Sequence, residues 1–201
     1  MLKVKDRILN DEIVEIKNFF EETQLSQLKN YFNSSPLEEF PFYRGRVVKL
    51  TPEMTDELRR LIESKLDIKL DPTTSKARIR VTNKHDQHHV RSTVHFDPYE
   101  FTGVFPLSYP TNTEDQGTRF YRHKISGKVK ATPFVSEMLL NEHGHDLSQW
   151  EVRKKNDLGL NSVVFFNGGL FHGPPEIFCG ESDEDGRITL DFFSNYPKEE
   201  K

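Results

Sequence analysis

The sequence predicts a mainly β domain, a double-stranded β-helix or jelly roll, with flanking helices. From residue 76 onward, short runs rich in β-branched and aromatic residues alternate with turns. Before that point, two segments carry apolar residues at helical spacing. The length of 201 residues suits one domain with its own core. Many short strands in one domain are typical of closed or double-sheet β architectures.

Two helices are predicted ahead of the β-rich region. Residues 24–33 place Leu25, Leu28 and Phe32 on one helical face. The second helix is expected to start at Thr51-Pro52, where a hydroxyl N-cap precedes proline at the first helical position. Its apolar stripe comprises Met54, Leu58, Leu61, Ile62 and Leu66.

Six strands are expected in the remainder of the chain. They cover 77–82, 88–96, 101–107, 118–124, 161–166 and 187–194. A helical stretch around 133–141 interrupts them, and the acidic run 181–186 is interpreted as a solvated hairpin loop. We therefore expect a single domain over 1–201, with about 1–75 as helical support and about 76–196 as a cupin-like jelly-roll core.

Composition argues against several classes of protein. The formal net charge of −4 at pH 7 gives the chain no overall excess of positive charge with which to bind nucleic acid. The single cysteine, Cys179, excludes an intramolecular disulfide, which favours the reducing cytosol. No apolar stretch approaches the length of a membrane span, and the first residues lack the apolar core of a signal peptide. We expect a cytoplasmic protein without a membrane or nucleic-acid partner.

The most informative motif is His95-Phe96-Asp97, at the end of an apolar, β-branched run. Side chains alternate along a strand, so residues 95 and 97 are expected to point to the same side. A third ligand is available at His172, after an apolar strand and a Gly-Gly turn. Two histidines and one carboxylate with open positions form the facial arrangement of non-haem Fe(II) oxygenases. A closed zinc site is less suitable, because no fourth ligand has the right spacing.

A second motif, Arg187-x-Thr189, lies at the start of the predicted last strand. Guanidinium binds carboxylates bidentately, and residues 187 and 189 share a strand face. The pair is interpreted as an anchor for a carboxylate. The alternative is a structural ion pair between Arg187 and Asp183 or Asp185 in the acidic turn.

Taken in order, these motifs resemble the Fe(II)- and 2-oxoglutarate-dependent oxygenases, above all their prolyl-hydroxylase-like branch. The likeness spans about residues 13–195. Residues 13–20 followed by 23–32 resemble the strand, turn and helix that begin many of these enzymes. The stretch 117–124 resembles a mid-barrel strand of one subgroup, although that subgroup has two glycines where this chain has Gln116-Gly117.

The resemblance implies Fe(II) held by His95, Asp97 and His172, with 2-oxoglutarate and O2 as co-substrates. Arg187 and Thr189 would bind the distal carboxylate of 2-oxoglutarate. Succinate and CO2 are the expected co-products, and hydroxylation is the default outcome. The expected substrate is a small molecule, an amino acid or a protein side chain.

The strand 118–124 carries more polar residues than a core strand needs. If its odd face lines the barrel, Tyr121 is a candidate donor to 2-oxoglutarate and Arg119 a candidate substrate residue. If the even face does so, Arg122 is the polar pocket residue. Side-chain periodicity does not decide which of the two faces lines the barrel. A further alternative is an edge strand whose charged residues discourage aggregation. Weaker pocket candidates are Tyr109 and Asn167.

Basic residues expected near the mouth of the barrel are interpreted as a solvated rim rather than an anion site. They are Arg78, Arg80, Lys84, Arg119, Arg122 and Lys124.

Two other functional classes stay open. A cupin-like metal enzyme without 2-oxoglutarate, such as an isomerase or hydrolase, would keep the three ligands but have no need of Arg187. A non-enzymatic jelly-roll binding module would use the histidines structurally and require no metal. Fold alone does not decide among these classes, because jelly rolls host many functions.

Overall fold

The computed structural model describes residues 3–39, 45–83, 85–86, 93–108, 117–132, 135–156, 159–174 and 180–198. Its strands are β1 (Val14–Lys17), β2 (Glu38–Glu39), β3 (Arg46–Lys49), β4 (Lys76–Thr82), β5 (Phe101–Ser108), β6 (Thr118–His123), β7 (Trp150–Asn156), β8 (Ser162–Phe166), β9 (His172–Gly173) and β10 (Arg187–Ser194). Its helices are α1 (Val4–Leu9), α2 (Glu22–Ser34), α3 (Pro52–Leu66) and α4 (Val135–His143). A short 3-10 turn covers Leu147–Gln149.

The strands form two antiparallel sheets that face each other. The large sheet has the order β1-β8-β5-β10-β4-β3-β2, and the small sheet has the order β7-β6-β9. Phe120 of the small sheet packs edge-on against Phe166 of the large sheet, with ring centroids 4.9 Å apart. This double-sheet arrangement confirms the predicted mainly β, jelly-roll class.

The outer face of the large sheet is covered by α1, α2 and α3. One buried cluster joins apolar residues of these helices to the outward-facing residues of the sheet, including Leu190 and Phe192 of β10. Because side chains alternate along β10, Arg187, Thr189 and Asp191 point to the opposite face, into the space between the sheets. The apolar core thus fixes which polar residues face the interior.

Most of the predicted elements are confirmed, with ends shifted by a few residues. The exception is the strand over 88–96, which is wrong where it can be checked. Residues 88–92 lie outside the described residues, and 93–96 form only an isolated bridge between His95 and His172. Short strands at β2, β3 and β7 were not predicted, and β1, β2 and β3, all within 1–75, belong to the large sheet.

A helix that crosses a membrane must be both long and apolar. None of the helices in the described ranges is both long enough and apolar enough to cross a bilayer.

The start of α3 provides a test of local stability. Thr51 Oγ1 accepts a hydrogen bond from the Met54 N–H (3.2 Å), and Pro52 occupies the first helical position. Thr51→Ala is expected to lower the free energy of unfolding by about 0.5–2 kcal/mol, because one N–H of the first turn loses its partner. Urea denaturation measures the change. Thr51→Ser keeps the oxygen and is the control, and equal stability of wild type and Thr51→Ala would contradict the capping role.

Candidate metal centre

The structure brings His95, Asp97 and His172 together at the edge of the small sheet. One ligating atom from each lies within 4.8 Å of the other two. Nε2 of His172 is 3.2 Å from Oδ2 of Asp97, and the two imidazole centroids are 4.4 Å apart. First-row metals bind N and O ligands at about 2.0–2.2 Å. The three side chains are therefore close enough to converge on one ion.

Main-chain hydrogen bonds create this convergence, rather than the strand alternation expected from the sequence. The N–H of His95 donates to the His172 carbonyl, and the N–H of His172 donates to the His95 carbonyl, each over 2.8 Å. The Asp97 N–H donates to the Gly168 carbonyl (2.8 Å). A Cβ on Gly168 would lie 2.6 Å from the Tyr99 carbonyl oxygen, so glycine permits this close approach.

The electrostatics of the three groups favour cation binding. His172 Nδ1 donates to the Leu170 carbonyl (2.8 Å), which orients Nε2 towards Oδ2 of Asp97 (3.2 Å). Burial, followed by the neighbouring His172, lowers the pKa of His95 to about 3. Burial opposes ionisation of Asp97, but His172 and His95 lower its pKa below the usual value. Two imidazoles and one carboxylate are a donor set that suits a divalent first-row metal.

The low pKa of His95 predicts pH-dependent stability of the metal-free protein. Between pH 6.5, the ordinary pKa, and about 3, the unfolded chain binds a proton that the folded chain excludes. The free energy of unfolding is therefore expected to decrease as the pH falls below 6.5. This group contributes at most about 1.4 kcal/mol per pH unit. Urea denaturation from neutral to mildly acidic pH measures the slope. His95→Gln removes the titration, so a slope equal to that of wild type would contradict the assignment.

The inner face of β10 places Arg187 and Thr189 near the three candidate ligands. Arg187 is 3% exposed and Thr189 is fully buried. Within the part of the chain that the structure describes, Thr189 Oγ1 has no hydrogen-bond partner. A buried hydroxyl lacking a partner, on the same strand face as a buried guanidinium, suits a carboxylate.

The acidic turn forms contacts of its own. Asp183 pairs with Arg46 and accepts a hydrogen bond from Asn83 Nδ2 (3.1 Å). Asp185 accepts from the N–H groups of Glu181 and Ser182 (3.0 and 2.7 Å). These contacts give no support to the alternative role of Arg187 as a structural ion pair.

A cavity between the sheets connects these groups. Its lining includes His95, Asp97, His172 and Arg187, together with Thr118 of β6. Side-chain alternation in the sequence does not decide which face of β6 points inward. The structure places the even face inward, since Phe120 packs on Phe166 and Thr118 lines the cavity.

The other predicted pocket residues lie apart from this lining. Tyr121 packs in a separate cluster with Trp150 and Phe171. Arg119 is buried opposite Gly173 of β9, whereas Arg122 is exposed beside Glu151 (3.9 Å). Asn167 shapes the Gly-Gly turn by accepting from the Gly169 N–H (2.9 Å). Tyr109, Lys84 and Cys179 lie outside the described residues.

Asp191 of β10 is a buried charged group that none of the sequence motifs indicates. Asp191 is 1% exposed, and its Oδ2 lies 3.2 Å from Arg80 Nη2 and 3.5 Å from Arg78 Nε. All three residues line the cavity. The alternating sequence Arg78-Ile79-Arg80-Val81 indicates that both arginines share one face of β4, opposite the apolar residues. In the structure this is the inner face.

Comparison with solved structures identifies similar folds. HygX from Streptomyces hygroscopicus, solved with nickel, 2-oxoglutarate and hygromycin B bound, has a TM-score of 0.57 at 13% identity, covering 99% of this chain and 88% of that one. The non-heme α-ketoglutarate-dependent carbocyclase SnoK from nogalamycin biosynthesis has a TM-score of 0.58 at 13% identity (96% and 83% covered). A Pseudomonas putida prolyl-4-hydroxylase has a TM-score of 0.51 at 11% identity (97% and 98% covered). No family model and no curated protein matches the sequence.

Proposed function

We propose that this chain, which has the fold of the 2-oxoglutarate-dependent oxygenases, is itself an Fe(II)- and 2-oxoglutarate-dependent oxygenase. The proposed reaction is hydroxylation of a small molecule, an amino acid or a protein side chain, in the cytoplasm. The carrying observation is that a His-Asp-His donor set and the buried Arg187 line one cavity. The similar HygX structures contain iron, or nickel with 2-oxoglutarate.

Each residue of the centre has a distinct role in this proposal. His95, Asp97 and His172 would hold Fe(II) and leave three of its positions open. Arg187 would bind the distal carboxylate of 2-oxoglutarate bidentately, and the Thr189 hydroxyl would donate to the same carboxylate. Bound iron, 2-oxoglutarate and O2 supply the oxidation of an unactivated C–H bond, with succinate and CO2 as co-products.

The protein contributes ligand orientation and the exclusion of water. The Leu170 carbonyl fixes the imidazole of His172, and the Thr102 hydroxyl donates to Oδ2 of Asp97 over 3.5 Å. Supports of this kind orient metal ligands and tune their basicity. Phe166 is fully buried and packs edge-on against His172, with centroids 4.8 Å apart, so one side of the centre is apolar.

Anaerobic calorimetry tests the proposal against both alternatives. The oxygenase is expected to bind Fe(II), and to bind 2-oxoglutarate more tightly once metal is present. A cupin-like enzyme without 2-oxoglutarate would bind metal only, and a binding module would bind neither. Succinate release with Fe(II), 2-oxoglutarate and a panel of metabolites and peptides then tests turnover. Metal binding without any affinity for 2-oxoglutarate would refute the proposal.

A further inference from the structure

A larger cavity, which we call the outer cleft, opens beside the metal centre. It has a volume of about 640 Å³ and lies between the start of α3, the end of β3 and the start of β4. Arg78, Asp97 and Phe193 line both the outer cleft and the inner cavity. Small-molecule sites commonly measure about 300–1,000 Å³. The outer cleft therefore has the size of a ligand site and shares a wall with the proposed iron site.

Cationic side chains outnumber carboxylates in the lining. The cations are Lys49, Arg59, Lys76 and Arg78, and the carboxylates are Asp56 and Asp97. Arg59 pairs with Asp56 (2.5 Å), Lys49 pairs with Glu38 on the surface (2.7 Å), and Asp97 belongs to the metal centre. Arg78 itself pairs with Asp191 (3.5 Å), which Arg80 also contacts (3.2 Å), so the exposed Lys76 beside it is the cation at the start of β4 that makes the shared wall positive.

An aromatic pair lies under these two cations. The rings of Tyr99 and Phe193 have centroids 5.4 Å apart and planes inclined by 36°. Lys76 Nζ is 6.0 Å from the Tyr99 centroid, and Arg78 Cζ is 5.0 Å from the Phe193 centroid. Cations at this distance from a ring face are attracted to it, so the rings help to hold both charges in position.

We infer that the outer cleft binds the oxidisable substrate, and that this substrate is a small-molecule carboxylate with an aromatic or other apolar body. The carboxylate would lie at Arg78 and Lys76, and the apolar body against Tyr99 and Phe193. Asp97, in the same wall, places such a ligand next to the metal centre. The inference rests on the proposed function. It revises the interpretation of Arg78 as a solvated rim residue, because its side chain is only 18% exposed.

The test uses three probes that differ only in charge: 4-phenylbutyrate, 4-phenylbutanol and 4-phenylbutylamine. Calorimetry is done with protein loaded with Ni(II) and 2-oxoglutarate, so that the inner carboxylate site is already filled, and repeated without loading. We expect 4-phenylbutyrate to bind about tenfold to a hundredfold more tightly than the alcohol, the range for a hydrogen bond to a charged group. The amine is expected to bind more weakly than the alcohol, because the wall repels it.

Variants assign the binding to the cleft. Lys76→Glu reverses one charge at an exposed position and is expected to weaken 4-phenylbutyrate binding at least about tenfold. Arg78→Met should weaken it further, with little effect on the alcohol. Because Asp191 then keeps only Arg80 as an ion-pair partner, circular dichroism checks that this variant folds, and Lys76→Glu carries the test if it does not. Lys29→Glu, the same charge change on the exposed face of α2, is the matched control and should bind like wild type.

The outcomes separate this inference from the proposed function. Equal binding of acid and alcohol, or an affinity unchanged by Lys76→Glu and Arg78→Met, overturns the inference. If metal and 2-oxoglutarate bind but no probe does, the inference fails and the oxygenase proposal stands. If a probe binds as described but metal and 2-oxoglutarate do not, the proposed function fails. The cleft is then a carboxylate site without an oxidative role, and the substrate assignment is overturned with it.

Discussion

His172→Ala is expected to abolish tight Fe(II) binding and turnover while the protein stays folded. Nε2 of His172 is one of three converging donors, and the remaining His95 and Asp97 form an incomplete set. Loss of a residue that merely supports a ligand costs about 10–100-fold in metal affinity, so loss of a ligand should cost more. The core beneath α1–α3 does not include His172, which is why the fold should persist.

Anaerobic titration with Fe(II), alongside circular dichroism, measures both parts of this prediction. His85→Ala, at an exposed histidine outside the centre, is the matched control and should bind metal like wild type. Asp97→Ala should show the same loss as His172→Ala. Metal affinity retained in both ligand variants, or a metal-bound structure in which these atoms lie far from the ion, would refute the centre. A bound ion is expected at about 2.0–2.2 Å from them.

Arg187→Ala is expected to raise the Kd for 2-oxoglutarate by a factor of hundreds or more, with metal binding little changed. Removing one partner of a buried charge pair costs about 3–5 kcal/mol, because the remaining charge stays desolvated and unpaired. A loss of about 1.4 kcal/mol in binding free energy raises Kd by a factor of ten. Arg187 is deeply buried, so solvent would not screen the loss. Calorimetry of the Ni(II)-loaded protein with 2-oxoglutarate measures it.

Graded variants separate geometry from charge at this anchor. Arg187→Lys should recover only part of the affinity, because an ammonium lacks the planar, bidentate fork. Thr189→Ala should cost less, about 0.5–3 kcal/mol, as for one hydrogen bond to a charged group. Arg60→Ala, at an exposed position of α3, is the control. Equal 2-oxoglutarate affinity in wild type and Arg187→Ala would remove the anchor and favour the cupin-like alternative.

The donor residues were accessible from the sequence, but the way in which they meet was not. Residue type and order indicate His95, Asp97 and His172, because few side chains suit a metal. The expected strand around His95 rested on local alternation. Its conformation instead depends on paired hydrogen bonds with His172, a contact between residues distant in sequence that no local pattern reports.

A similar limit applies to the strands. The sequence 187–194 predicts β10, because Ile188, Leu190 and Phe192 alternate with polar residues and pack on the side of the helices. β7 carries Arg153, Lys154 and Lys155 and lies at the edge of the small sheet, so its pattern resembles a solvated segment. The inward face of β6 was undecided, because both of its faces mix polar and apolar residues. The contact of Phe120 with Phe166 across the sheets decides it.

The reciprocal hydrogen bonds between His95 and His172 also bear on how the centre opens. The two hydrogen bonds join the same pair of residues. The amide protons of His95 and His172 are therefore expected to exchange with deuterated solvent together, as one cooperative unit. The preceding Thr93 and Val94 donate to the Gly144 carbonyl, just beyond α4, over 3.0 Å each. If the end of α4 unfolds, these two hydrogen bonds break, and the main chain that leads to His95 loses its support. The hydrogen bonds between His95 and His172 are then expected to weaken as well. Local unfolding of a helix that contributes none of the three candidate ligands is thus expected to weaken the binding of an ion at this site.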